Sequence, residues 1–169
     1  VPPTLVSFAV GVEKAKKIIS PEFKNVGSKL ILLTVETCSD GTINMDKYKK
    51  NLDVLYSLIQ DEKVISASSV KFGGVSECIT KMTLGNRIGA EIENLTKEEL
   101  FGFNYGCILA EVCEDVNVEE AFNESEYKVV GKTIAESIIT SREYDFKFDI
   151  CSLEKNYEEK LRSVYPIET

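Results

Sequence analysis

Residues 64–82, VISASSVKFGGVSECITKM, decide the fold of this chain because three patterns follow one another without a break. The β-branched run from Val64 to Val70 predicts a strand, the Gly73-Gly74 pair predicts a turn, and residues 75–84 have apolar positions at helical spacing. In a strand–glycine–helix unit, backbone N–H groups at the start of the helix can face an anion. The glycines can equally serve packing, by letting the helix approach its strand closely. The pattern leaves both interpretations open.

Length and charge exclude several classes of protein. A chain of 169 residues is long enough for one domain with a sizeable core. The formal net charge of −8 disfavours nucleic acids and anionic membranes as partners, because their phosphates would be repelled. The longest apolar run, residues 30–33, has the length of a strand and is far shorter than the roughly 20 residues that span a bilayer. We therefore expect no nucleic-acid partner and no membrane partner.

The chemistry open to the chain is limited because it contains no histidine and five scattered cysteines. Ser-His-Asp and Cys-His nucleophile systems cannot form within it. An odd number of cysteines without a close C-x-x-C pair argues against a disulfide framework and a tetrahedral zinc site. Acidic clusters could hold Mg²⁺, but such side chains more often lie on solvated faces or at helix N-termini; the clusters are Glu91, Glu93, Glu98 and Glu99, and Glu111, Glu114 and Asp115. We predict no catalytic residue and no metal site.

Apolar periodicity and turn residues predict strands and helices that are mixed along the whole chain. The predicted strands are residues 4–10, 29–35, 63–70, 88–92, 107–112, 127–130 (ending at Gly131) and 146–150, while 133–140 is ambiguous. The predicted helices are residues 13–19, 45–60 capped by Asn44, 75–84, a short one opened by a Thr96 capping box, a turn capped by Asn117, and a last helix from Ser152 to Pro166. Phe101, Phe103 and Tyr105 are interpreted as core aromatics, with a ligand-stacking loop as the alternative. The predicted fold class is α+β, with a mixed β-sheet flanked by helices.

Several segments, in order over nearly the whole chain, resemble the aminoimidazole ribonucleotide synthetase C-terminal domain family. These segments are Pro21-Glu22-Phe23-Lys24 with Gly27, Gly73-Gly74-Val75-Ser76-Glu77 with Met82, Gly89-Ala90-Glu91-Ile92, Phe103-Asn104 to Val112, Tyr127 to Gly131, and Leu161 to Pro166. The resemblance implies a mixed-sheet, partly ferredoxin-like domain. It also implies one domain, residues 1–169, excised from a larger chain, and a first methionine at Met45 agrees with this expectation.

The resemblance further implies a role in a cytoplasmic, glutamine-dependent carbon–nitrogen ligase of purine biosynthesis. Such an enzyme converts formylglycinamide ribonucleotide to its amidine with ATP and Mg²⁺. Family members place this type of domain beside an ATP-binding domain, and in long single-chain forms it occurs twice, the second copy preceding a glutaminase domain. The ending at Tyr165-Pro166 fits the second copy. The expected partners are the ATP-binding and glutaminase domains of the same polypeptide.

The glycine loop departs from the family pattern. The usual His-Asp-x-Ser-Asp-Gly-Gly corresponds to residues 68–74 here, where the glycines remain but the histidine, both aspartates and the serine are replaced. The residues that remain to contact a nucleotide are Ser69, Lys71, Gly73 and Gly74, with Lys71 as a point charge for phosphate. We therefore expect this copy to be structural or to support a nucleotide site, and the isolated chain to be inactive and without cofactor.

Two further expectations concern alternatives to this role. A stand-alone regulatory module that binds a small ligand is the other function considered. A domain excised from its partners should also expose apolar side chains, and residues 4–10 and the loop 70–72 are the expected places. Such exposure favours self-association of the fragment.

Overall fold

The computed structural model describes residues 3–141, 143–160, 162, 164 and 165, and a seven-stranded mixed sheet lies at the centre of this part. The strands are β1 (Lys29–Leu33), β2 (Val64–Ser69), β3 (Gly89–Ile92), β4 (Ile108–Val112), β5 (Tyr127–Ile134), β6 (Ile138–Ser141) and β7 (Phe146–Asp149). Their spatial order is β2-β4-β1-β5-β3-β6-β7. Strands β3 and β6 pair in parallel, and the other neighbours pair in antiparallel. The predicted α+β class with a mixed sheet is confirmed.

Helices flank this sheet and begin largely where the sequence places them. They are α1 (Met45–Gln60), α2 (Gly74–Leu84), α3 (Lys97–Phe101), α4 (Val118–Ala121) and α5 (Ile150–Glu159), with a 3₁₀ turn at Ala15–Lys17. The Asn44 side chain accepts the N–H of Lys47 at 3.2 Å, and Thr96 and Glu99 form a reciprocal capping box. Both predicted caps are confirmed. Asn117 precedes α4 but makes no side-chain capping hydrogen bond.

Strand β1 contributes to the apolar core on both faces of the sheet. Leu30 and Leu32 point to the face covered by α2 and α3, whereas Ile31 and Leu33 point to the face covered by α1 and α4. All four side chains are at most 1% exposed. The nearly continuous apolar sequence of this strand therefore follows from burial on both sides.

Strand β5 is longer than the sequence predicts. The predicted end at Gly131 is wrong, because the strand continues to Ile134. The register between β1 and β5 shifts at this point, so that Leu30 lies opposite Gly131 and Ile31 lies opposite Val129. This shift is a β-bulge, and Gly131 accommodates it with a φ of +141°. A glycine that usually ends a strand here lets the strand bend and continue.

The two ends of the chain also differ from the prediction. Residues 4–10, predicted as a strand, form no strand in the described structure. Asp149, rather than Ser152, caps α5 by accepting the Ser152 N–H at 2.8 Å. Ile150, predicted as a strand residue, is instead the fully buried first residue of this helix. Leu161 and Pro166, on which the predicted end of the last helix depends, lie outside the described residues.

No helix in the described part of the chain is both long and apolar enough to span a bilayer.

Candidate functional site

The Gly73-Gly74 pair lies between the end of β2 and the start of α2, as the sequence predicts. After β2 the Val70 N–H bonds to the Cys107 carbonyl at 2.9 Å, and the Gly74 N–H bonds to the Lys71 carbonyl at 3.0 Å. Gly73 is the N-cap of α2, and Gly74 is its first residue with a φ of +72°. The loop is thus a tight turn that ends the strand and starts the helix.

Gly74 is required for packing as well as for the turn. A β-carbon at this position would overlap the Leu100 carbonyl oxygen at the end of α3. Its positive φ is itself unfavourable for any other residue. The packing interpretation of the glycine pair therefore has a direct structural basis, since α2 and α3 approach through this residue.

A carboxylate of the protein itself occupies the start of α2. The Gly73 N–H donates to Glu77 Oε2 at 2.7 Å, and Lys81 Nζ contacts Glu77 Oε1 at 2.5 Å. The hydrogen bond from Lys81, followed by that from the Gly73 N–H, lowers the pKa of Glu77. An external anion would have to displace this carboxylate to reach the Gly73 N–H. Sequence reasoning missed this contact, although a glutamate in the first helical turn is a recognised signal for it.

The other two predicted site residues, Ser69 and Lys71, are exposed at the surface beside this helix start. Together with Glu77 and Lys81 they border a depression of about 20 Å³. That volume suits about one water molecule. The structure therefore brings the four predicted residues together in one loop, but a nucleotide could contact Ser69 and Lys71 only from the outer surface.

The residues of this loop do not form a magnesium site. Across the described ranges, no group of three or more Asp, Glu, Cys or His side chains is placed to hold a metal ion. Glu77 is the carboxylate nearest the loop glycines, and it already accepts from Lys81 and Gly73. One member of the acidic clusters is buried rather than solvated, which corrects the sequence interpretation. Glu111 is 0% exposed and accepts hydrogen bonds from Lys24 N, Asn25 N and Ser66 Oγ at 2.8 to 2.9 Å.

An exposed aromatic cluster lies directly beside the glycine loop. We define it as Phe72, Phe103 and Tyr105, with ring centroids 5.0 Å apart for Phe72 and Phe103 and 5.8 Å apart for Phe103 and Tyr105. Between 55% and 73% of each residue is exposed, and Phe101 nearby is 67% exposed. The prediction of core aromatics at Phe101, Phe103 and Tyr105 is therefore wrong. The predicted apolar exposure of the loop 70–72 is confirmed at Phe72 but is wrong at Val70, which is 4% exposed.

A second concave site, not predicted from the sequence, lies along α2 and shares Glu77 and Lys81 with the depression beside the glycine loop. Its volume is about 660 Å³, within the range of small-molecule sites. Apolar side chains from α2, α3, the β6–β7 hairpin and α5 form most of its wall, namely Ile79, Leu100, Ile139, Phe146 and Leu153. The alternating Phe146 and Phe148 and the helical spacing of Leu153 and Tyr157 were the available signals. They predict burial but not an open space between the elements.

The fold has counterparts among solved structures. The PurLQS structure from Thermotoga maritima matches with a TM-score of 0.71 at 12% identity, over 83% of this chain and 28% of that chain. Phosphoribosylformylglycinamidine synthase II from T. maritima matches with a TM-score of 0.66 at 12% identity, over 82% and 28%. The chain has the fold of a PurL domain. The resemblance found in the sequence is thereby confirmed at the level of the fold.

A T. maritima PurL structure in complex with ATP matches the same region, with a TM-score of 0.64 at 12% identity, over 82% of this chain and 27% of that chain. This chain spans less than a third of the length of the PurL proteins it matches. No protein-family model matches the sequence, and no curated protein matches it. The shared PurL fold is thus carried by the arrangement of strands and helices rather than by close sequence identity.

Proposed function

We propose that this chain is one domain of a glutamine-dependent ligase that converts formylglycinamide ribonucleotide to formylglycinamidine ribonucleotide with ATP in cytoplasmic purine biosynthesis. The observation that carries the proposal is the PurL fold over 83% of the chain. The ordered sequence resemblance to the aminoimidazole ribonucleotide synthetase C-terminal domain family supports the same function. Its partners are then the ATP-binding and glutaminase domains of the same polypeptide.

In this enzyme the domain supports the active site rather than catalysing by itself. The Glu77 carboxylate already accepts the hydrogen bond of the Gly73 N–H, and no carboxylate of the loop is placed to orient Mg²⁺. ATP and Mg²⁺ are therefore held by other parts of the polypeptide, and the exposed Lys71 offers one positive charge towards a phosphate at the domain surface. The glycine pair holds α2 against α3 and keeps the loop in place.

Three experiments test this function. The isolated chain should hydrolyse no ATP above a buffer blank, and turnover by the pure chain would contradict the supporting role. In the complete polypeptide, formation of ADP should require formylglycinamide ribonucleotide and glutamine together. Lys71→Gln in that polypeptide should raise the KM for a phosphate-bearing substrate several-fold, whereas Lys50→Gln, an exposed lysine on α1, should not. An unchanged KM would leave the domain a purely structural role.

The 660 Å³ cavity favours a second candidate function, a stand-alone module that binds a small apolar ligand and regulates another protein. This function differs from the first because its ligand would contact the partly exposed Phe146 and Leu153 rather than Lys71. Leu153→Trp should fill the cavity and abolish such binding. A screen by thermal shift distinguishes the two functions, since stabilisation by apolar compounds and loss of that effect in Leu153→Trp would favour the module.

A further inference from the structure

The cavity of about 660 Å³ along α2 has an apolar wall that a ligand can touch. Phe101 on α3, Phe148 on β7 and Tyr157 on α5 line it, and each of these residues is more than half exposed. Phe146 and Leu153 also line it and are partly exposed. Exposed aromatic side chains that three different elements contribute to one concave space are an unusual surface to leave in water. The space therefore fits the apolar body of a small molecule.

The charge of this cavity differs in sign from that of the chain as a whole. Of the described residues that line it, Glu77, Lys81 and Lys97 are charged, which gives two positive charges and one negative charge. The whole chain has a formal net charge of −8. The cavity is therefore a locally positive region of a chain whose overall charge repels anions.

Lys97 supplies the positive charge that is not balanced inside the cavity. Lys81 Nζ contacts Glu77 Oε1 at 2.5 Å, so these two charges offset each other. Lys97 is the exposed first residue of α3, and it makes no hydrogen bond or ion pair with another described residue. The next residue, Glu98, does not line the cavity. A carboxylate in the cavity would therefore gain an ion pair with Lys97 without displacing an existing contact.

We propose that this cavity binds a small amphipathic carboxylate, whose apolar body lies against Phe148 and Leu153 and whose head group pairs with Lys97. The proposal rests on the cavity of the second candidate function, and it adds the chemical class of the ligand. The volume lies within the range of small-molecule sites. A flat surface of a neighbouring domain would leave a concave space of this size unfilled, so a small molecule is the occupant that fits both its shape and its charge.

Three probes with the same ten-carbon chain test the head group. Decanoate, decanol and decylammonium are titrated calorimetrically into the complete 169-residue chain, in about 0.15 M salt, where charges more than about 8 Å apart are largely screened. Decanoate should bind several-fold more tightly than decanol, and decylammonium should bind most weakly. Equal affinities, or tightest binding of decylammonium, would overturn the carboxylate assignment but leave an apolar-ligand function in place. Binding of none of the probes would overturn both.

A charge-removing variant tests which residue receives the head group. Lys97→Gln should lower the affinity for decanoate to that for decanol and leave the affinity for decanol unchanged, because it removes the charge and keeps most of the side chain. Lys50→Gln, at an exposed lysine on α1, provides the matched control and should leave all three affinities unchanged. A Lys97→Gln variant that still prefers decanoate would overturn the assignment of the head group to this lysine.

Two variants of the cavity wall test where the apolar body binds. Leu153→Trp should fill the space and weaken the binding of decanoate and decanol about tenfold. Phe148→Ala, at a half-exposed residue, should fold like the parent and weaken both probes several-fold by removing apolar contact. Unchanged binding in both variants, each with the far-ultraviolet circular dichroism of the parent, would overturn the assignment to this cavity.

Discussion

Glu77 accepts a hydrogen bond from the backbone N–H of Gly73 with 2.7 Å between the atoms, so the first turn of α2 is closed by its own carboxylate. The helix start that resembles an anion site is thereby part of the domain's own stabilisation. Lys81, one turn further along, holds the same carboxylate from the other side. This relationship fixes both the stability of the loop and the access of a ligand to it.

The first prediction concerns the pH dependence of stability. The pKa of Glu77 is lowered from about 4.5, so its contribution to folding is present above the unfolded pKa and is lost as the pH falls through the lower folded pKa. At pH 7, Glu77→Gln should destabilise the domain by about 1 kcal/mol. Urea unfolding should show this difference shrinking as the pH falls below 4.5. The exposed Glu124→Gln is the control, and a difference that stays constant with pH would contradict the assignment.

The second prediction separates two effects of glycine. Gly74 and Gly41 both have a positive φ, at +72° and +83°, but a β-carbon at Gly41 meets nothing within 4 Å. Gly41→Ala should therefore cost about 1 kcal/mol, from backbone conformation alone. Gly74→Ala should cost more, and Gly74→Val about 3 kcal/mol, because each adds overlap with the Leu100 carbonyl. Thermal unfolding measures both, and equal losses for the two alanine variants would show that α2 and α3 do not approach through Gly74.

The third prediction concerns the buried carboxylate of Glu111. It satisfies the backbone N–H groups of Lys24 and Asn25 and the hydroxyl of Ser66, and removing it leaves these donors without an acceptor. Glu111→Ala should destabilise the domain by about 3 kcal/mol in urea unfolding. Glu114→Ala, an exposed neighbour, should change stability by less than about 0.5 kcal/mol. A small effect at Glu111 would mean that the segment around residues 24 and 25 can move away from β4 at little cost.

The fourth prediction concerns thiol reactivity. Burial raises the pKa of Cys78 to about 11 and also raises that of Cys107, whereas Cys38 and Cys151 are exposed. At pH 8 a thiol reagent should label Cys38 and Cys151 rapidly, and Cys78 and Cys107 only in denaturant. Peptide mass mapping after brief labelling locates the modified residues. Rapid labelling of native Cys78 would contradict its place between α2 and the sheet.

Much of the fold could be predicted because its signals are local. The capping residues Asn44 and Thr96 identify helix starts by themselves, and β1 reveals burial on both faces by its continuous apolar run. Gly131 could not be interpreted correctly, because a glycine in a bulge and a glycine after a strand look alike until the neighbouring strand is known. Residues 4–10 have strand composition, but their pairing depends on an available neighbour.

The candidate site was predicted in position but not in environment. The glycine pair indicated a strand–helix junction, which the structure contains. The close approach of Gly74 to Leu100 involves residues far apart in the sequence, and no local sequence pattern predicts it. Glu111 appears in the sequence as one of several acidic residues, and its burial depends on donors near residue 24. The 660 Å³ cavity has the same origin, since it forms between elements that are individually well predicted.

The burial of β1 on both faces has a consequence for how the domain unfolds. Leu30 and Leu32 belong to one apolar layer, and Ile31 and Leu33 belong to the other. If β1 detaches from the sheet, both layers are therefore exposed to solvent at the same time. Amide hydrogens of residues 29–33 should therefore exchange with solvent only through global unfolding. A single residue inserted before Leu30 would turn every one of these side chains to the opposite layer. Both layers would then have to repack together. We therefore expect a change in the register of this strand to destabilise the domain strongly.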